Sequence, residues 1–123
     1  MPKQIIVPDQ NKPPSGISQA TQAGKIVFIS GQVAFDKDGQ LVGLEDPRAQ
    51  ADQCFKNIEA AVKSAGGNLS DITKITCFLA SREYFPAYSA SREATFPKDP
   101  PASTTVIVSG LVRPELLVEV EAI

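Results

Sequence analysis

An unusual alternating pattern closes the chain. From Leu116 to Ile123 the residues read Leu-Leu-Val-Glu-Val-Glu-Ala-Ile. A strand places successive side chains on opposite faces. Leu116, Val118, Val120 and Ala122 therefore share one face, and Leu117, Glu119, Glu121 and Ile123 the other. Two carboxylates stand among apolar neighbours. Unpaired buried acids are very costly, which leaves two readings: a strand face wetted at the rim of a sheet, or acids that point into a cleft with partners. A second β-rich run, Pro100 to Val108, precedes this one, and the Gly/Pro connector Ser109 to Glu115 between them predicts a hairpin.

The earlier pattern supplies the rest of a sheet and two helices. Gln4 to Val7 predicts a short strand stopped by Pro8, and Asp9 to Gly16 an irregular loop containing Pro13-Pro14-Ser15-Gly16. Ile17 to Ala23 and Lys25 to Ser30 predict two strands joined at Gly24 as a hairpin. Gly31 continues the strand pattern, as glycines do at a bulge or where something approaches the backbone. Asp36-Lys37-Asp38-Gly39 is a surface turn, too short for a calcium loop. Asp46 and Pro47 suit the N-cap and first position of a helix over 47–65. Its buried face would carry Ala51, Cys54, Phe55, Ile58, Val62 and Ala65, and Gly66-Gly67 would end it. Asp71 to Ala80 is β-rich with imperfect alternation, which implies burial on both faces near one end. Ser81 caps a second helix running to about Phe96, with Phe85, Tyr88 and Phe96 facing inward; Pro86 leaves its start open. The order β-β-β-α-β-α-β-β predicts one α+β domain over residues 1–123, a mixed sheet with both helices packed on one face. If the other sheet face is apolar, another subunit must cover it, which predicts a homo-oligomer.

Composition narrows the chemistry. The chain has no histidine, so it lacks the commonest general base and metal ligand, and a Ser-His-Asp triad is excluded. Cys54 and Cys77 form no CxxC pair and fall in apolar patterns; they predict free buried thiols, with no metal site. The net charge is −2 and the Lys and Arg residues are scattered, against a nucleic-acid surface. The N-terminus lacks a signal-peptide core, and no apolar run approaches a membrane span. A soluble cytoplasmic protein, with no membrane contact, is the expectation.

Four stretches then resemble a known family: Ile29-Ser30-Gly31-Gln32, Gln53 to Ala65 followed by Gly66-Gly67, Pro101-Ala102-Ser103-Thr104-Thr105-Val106, and Val118-Glu119-Val120-Glu121. Together they resemble the Rid family (YjgF/YER057c/UK114, in older naming L-PSP endoribonuclease), in order and from about Ile5 to Ile123. The resemblance implies a chorismate-mutase-like α+β fold, a homotrimer with a cleft at each subunit interface, and hydrolysis of 2-enamine or 2-imine metabolites to 2-keto acids and ammonia without metal or cofactor. It implies that the Gly31 N–H meets a substrate carboxylate, that Ser30 lies beside it, and that Glu119 positions or activates water.

The same resemblance marks departures. Ser103 stands where active deaminases carry an arginine that grips the substrate carboxylate, Ile17 where they usually carry tyrosine, Thr105 where many carry cysteine, and Ser89 where many carry asparagine. A hydroxyl cannot replace the planar charged fork of arginine. Arg113, in the last connector, either sits in solvent or reaches the cleft. Three functions stay open in descending order: a cofactor-independent imine or enamine deaminase with Glu119 as the base or orienter of its water; a non-catalytic metabolite-binding or stress-response trimer; and an endoribonuclease, which the charge distribution disfavours.

Overall fold

A computed structural model of the chain describes residues 3–8 and 13–123; the predicted loop at 9–12 lies outside them. Strands β1 (Gln4–Ile6), β2 (Ala20–Ala23) and β3 (Ile26–Gln32) form an antiparallel meander. Helix α1 (Pro47–Ser64), β4 (Lys74–Leu79), helix α2 (Phe85–Thr95), β5 (Ala102–Ile107) and β6 (Val118–Ala122) follow. They make one six-stranded sheet in the order β1-β2-β3-β6-β4-β5. Only β4 and β5 are parallel, and α2 makes the long crossover that a parallel pair needs.

The expected C-terminal hairpin does not form. β4 lies between β5 and β6, paired parallel to the first and antiparallel to the second. Burial explains the choice. Val118, Val120 and Ala122 are buried, so β6 must lie inside the sheet, where α1 covers it. Ala102 to Ser103-Thr104 is exposed and polar enough for an edge. The alternation of β4 is clean, with Ile75, Cys77 and Leu79 buried and Thr76 and Phe78 half-exposed, so it is not buried on both faces. The predicted strand from Ile17 starts only at Ala20. Residues 69–71 and 82–84 are short 3-10 turns; Ser81 caps the second, with α2 beginning at Phe85.

The first helix follows its local signals. Asp46 accepts from the Ala49 N–H, Pro47 occupies the first turn, and Gly66 takes a left-handed φ of 91°. The Gly67 and Gly66 N–H groups then close onto the Val62 and Lys63 carbonyls, a Schellman ending. Its predicted face packs on the sheet, Ala65 alone staying partly exposed. From α2, Tyr88 stacks on Phe55 at 5.9 Å and Phe96 meets that ring edge-on at 5.6 Å. Phe85 does not face inward: it is 41% exposed, one turn before Tyr88 reaches the core.

Two buried amides tie loops to α1. Gln50 donates to the Gly43 and Glu115 carbonyls and accepts from the Leu117 N–H. Asn57 donates to the carbonyls of Val33 and Phe35. Gln50 thus fixes the entry to β6, and Asn57 the segment after β3. Leaving such groups unpaired costs roughly 1–3 kcal/mol each. Gln50→Leu, close in volume, should lower unfolding free energy by at least ~2 kcal/mol in urea denaturation; an unchanged midpoint would show that these bonds add nothing net.

Candidate functional site

The sheet separates side chains by parity. Paired residues share a face, so Val118, Val120, Cys77 and Leu79 point to the helices, and Glu119, Glu121, Thr76 and Phe78 to the open face. The open face also carries Ile26, Phe28 and Val106, which are 52%, 45% and 38% exposed. The open face is therefore mixed, with exposed apolar side chains beside Glu119, Glu121 and Thr76, so the condition set from the sequence, an apolar open face, is met in part.

A cleft of about 870 Å³ opens beside Glu119, lined by Ile17, Ser30, Gly31, Val33, Phe35 and Arg113 among others. Gly31 is what lets the acid sit there. A Cβ at Gly31 would run into the Glu119 carboxylate, with the Glu119 Cδ at 2.9 Å and Cγ at 3.2 Å. The β3–β6 register shifts between the Ile29 and Gln32 pairs, so Ser30 and Gly31 fall inside a bulge. The bulge predicted from the glycine is thus real, and so is the close approach. Ser30 donates its hydroxyl to the Ser18 carbonyl at 2.6 Å, which pins the strand to the segment before β2. Ile17 is held over the cleft by a tight turn: its N–H bonds the Pro14 carbonyl, with Gly16 at φ 87°.

Burial, then the negative charge of neighbouring Glu121, raises the Glu119 pKa above its ordinary value. Among the described residues Glu119 has no hydrogen-bond or ion-pair partner. A half-buried carboxyl with this bias suits proton transfer. The Arg113 guanidinium lies 5.0 Å from the Phe35 ring centroid and 3.7 Å from the Glu115 carboxylate. It therefore belongs to the cleft wall, which its connector position left open.

Ser89, Ser103 and Thr105 are not in this cleft. Ser103 pairs with Ile75 and Thr105 with Cys77, so both point to the helix side of the edge strand β5. Ser89 reaches the same edge from α2. Between them lies Arg92, which sequence reasoning missed: its Nη2 is 3.3 Å from Ser89 Oγ and its Nη1 3.5 Å from Ser103 Oγ. The guanidinium carbon also lies 5.4 Å from the Tyr88 ring centroid and 5.9 Å from that of Phe85. The spacing Ser89–Arg92, one helical turn, was the available signal. The expected site residues thus form two groups on opposite faces, Ile17, Ser30, Gly31 and Glu119 in one and Ser89, Ser103 and Thr105 in the other. One chain does not bring them together.

Cys54 and Cys77 are free and buried. Burial drives the Cys77 thiol up to about 12 and Cys54 higher still, so neither is a nucleophile at neutral pH. Among the described residues no cluster of His, Cys, Asp and Glu could hold a metal ion.

Known proteins share this fold. The family model described as endoribonuclease L-PSP matches residues 9–123. The 3-aminoacrylate deaminase RutC of Acinetobacter baylyi is 35% identical over 124 aligned positions, covering 100% of this chain and 98% of that protein. The crystal structure of RidA from an Antarctic Psychrobacter is 34% identical with a TM-score of 0.90, covering 97% of this chain and 96% of that one. The Rid-family protein YyfA of Yersinia pestis is 31% identical with a TM-score of 0.91, covering 98% and 97%. With a match that runs through both groups of residues to Ile123, the chain belongs to the endoribonuclease L-PSP family, the Rid family.

Proposed function

We propose that the protein is a cofactor-independent hydrolase of small 2-imine and 2-enamine acids, built as a homotrimer and working in the cytoplasm. The observation that carries the reading is the approach of Glu119 to Gly31, which holds a half-buried, unpaired carboxyl against a backbone segment in an open cleft. A relative named for 3-aminoacrylate deamination supports the substrate class. The exposed apolar side chains of the open face support the oligomer, since exposed apolar surface is a common mark of an interface. In that assembly the β5 edge of one copy would face the Glu119 cleft of the next. Reducing surroundings suit the two free thiols.

The chemistry balances with water alone. The oxygen of a water molecule attacks the C=N carbon while Glu119 takes one of its protons. Glu119 gives that proton to the imine nitrogen, which makes a carbinolamine; the carbinolamine's hydroxyl proton then passes through Glu119 to nitrogen, the C–N bond breaks, and ammonia leaves as the carbonyl forms. A 2-enamine first becomes the imine by moving an N–H proton to its β-carbon. Gly31 N–H anchors the substrate and the apolar wall excludes bulk water. Ser103 favours a second reading, a trimer that binds metabolites without turning them over. The variant Ser103→Arg with Ile17→Tyr separates the two: activity gained from none places the native protein in that class.

Three outcomes are expected. In a coupled assay with enzymatically generated 2-aminoacrylate, ammonia release exceeds the spontaneous rate, and the protein elutes near three times its 13.1 kDa chain mass; spontaneous rates at micromolar protein overturn the assignment. Glu119→Gln lowers kcat by about 10²–10⁴-fold, the range for a lost general base, and Gly31→Ala, by displacing the same carboxyl, lowers it with the oligomer kept. The raised Glu119 pKa fixes a sign. In the unfolded chain this carboxyl ionises at lower pH than in the folded one, so it penalises folding as pH rises. Wild type and Glu119→Gln should therefore be alike in stability below about pH 4, and the variant more stable at pH 7. A difference that does not change with pH contradicts this.

A further inference from the structure

The substrates just proposed carry a carboxylate, and the cleft that would receive them carries another in Glu119. Like charges at close range repel unless a cation intervenes. Arg113 is already engaged, with the Glu115 carboxylate on one side and the Phe35 ring below. Arg92 is differently placed. Among the described residues it pairs with no carboxylate; its hydrogen bonds go to two neutral hydroxyls, Ser89 and Ser103. The Phe85 and Tyr88 rings hold its guanidinium plane from below. Such a group is oriented in advance and keeps N–H donors for an anion, so little entropy is lost on binding.

A second observation marks the same spot. Tyr88 is fully buried, yet its hydroxyl has no hydrogen-bond partner. The Cys77 thiol and the Ser103 hydroxyl are its near polar neighbours, and the Arg92 charge acts on it as well. This hydroxyl, short of a well-formed hydrogen bond, keeps the surroundings of Arg92 polar.

We propose that Arg92 is the residue that binds the substrate carboxylate in this protein, with Ser89, Ser103 and Tyr88 around it. The charge that Ser103 cannot provide from β5 comes instead from α2, across the same strand edge. This inference rests on the reading that the β5 edge of one copy completes the Glu119 cleft of the next.

The test uses the intact protein and two probes, 2-oxobutyrate and its neutral amide, in calorimetric titrations beside the deaminase assay. Wild type should bind the acid, and Arg92→Met should bind it about 10- to 100-fold more weakly, the loss expected for one charge-assisted pair. Binding of the amide should stay the same. Arg92→Lys keeps the charge without the fork and should fall between, and Arg92→Met with Ser103→Arg should recover the acid. Arg113→Met should weaken acid binding less than Arg92→Met does. Unchanged affinity in folded, trimeric Arg92→Met, or a loss that follows Arg113 instead, overturns the proposal while the deaminase reading stands. Binding that depends on Arg92 without turnover keeps Arg92 as the anion site and removes the deaminase reading. No binding of the acid by wild type at millimolar concentration overturns both.

Discussion

A β-strand cannot bury one side chain without offering the next to the opposite face, and β6 follows that constraint along its whole length. Its even positions, Val118, Val120 and Ala122, go under the helices. Its odd positions deliver Glu119 and Glu121 to the open face, in the middle of the sheet, where a carboxylate is hard to solvate fully. The missing side chain at Gly31 gives the Glu119 carboxyl its room. The acid is thus fixed by the hydrophobic core behind it. Gln50, holding the Leu117 N–H, and Asn57, holding the backbone at 33 and 35, set the two walls of that room from α1.

The opposite edge is governed by a different balance. β5 stays largely exposed, and its small hydroxyl residues leave space for a side chain reaching over from α2. Arg92 fills it, supported by rings and hydroxyls in place of a carboxylate. The molecule therefore presents a biased acid at one place and an unpaired guanidinium at another. In the proposed assembly these complementary groups belong to neighbouring copies, and the exposed apolar side chains of the open face give the copies their reason to associate.

Much of this was legible in the residues. The period-two run Leu116–Ile123 gave the correct faces of β6, and Asp46, Pro47 and Gly66 gave α1 almost to the residue, because caps and periodicity act locally. The glycine at 31 announced a close approach. What failed was non-local. Two adjacent β-runs joined by a Gly/Pro connector look like a hairpin, yet β4 takes the place between them, because the burial of β6 is satisfied only at the centre of the sheet. Gln50 and Asn57 gave no local signal, since their partners are backbone groups far along the chain. Arg92 was hidden for the same reason: its meaning depends on Ser103, eleven residues later on another element.

The central claim is that one working site needs Glu119 from one copy and Arg92 from another. Subunit mixing tests it most directly. Glu119→Gln and Arg92→Met chains, each purified alone, should be nearly inactive; unfolded and refolded together, they should form mixed trimers in which one interface joins an intact Glu119 cleft to an intact Arg92 edge, and deaminase activity should return. Mixed trimers, verified by mass, that stay as inactive as either parent would contradict the account.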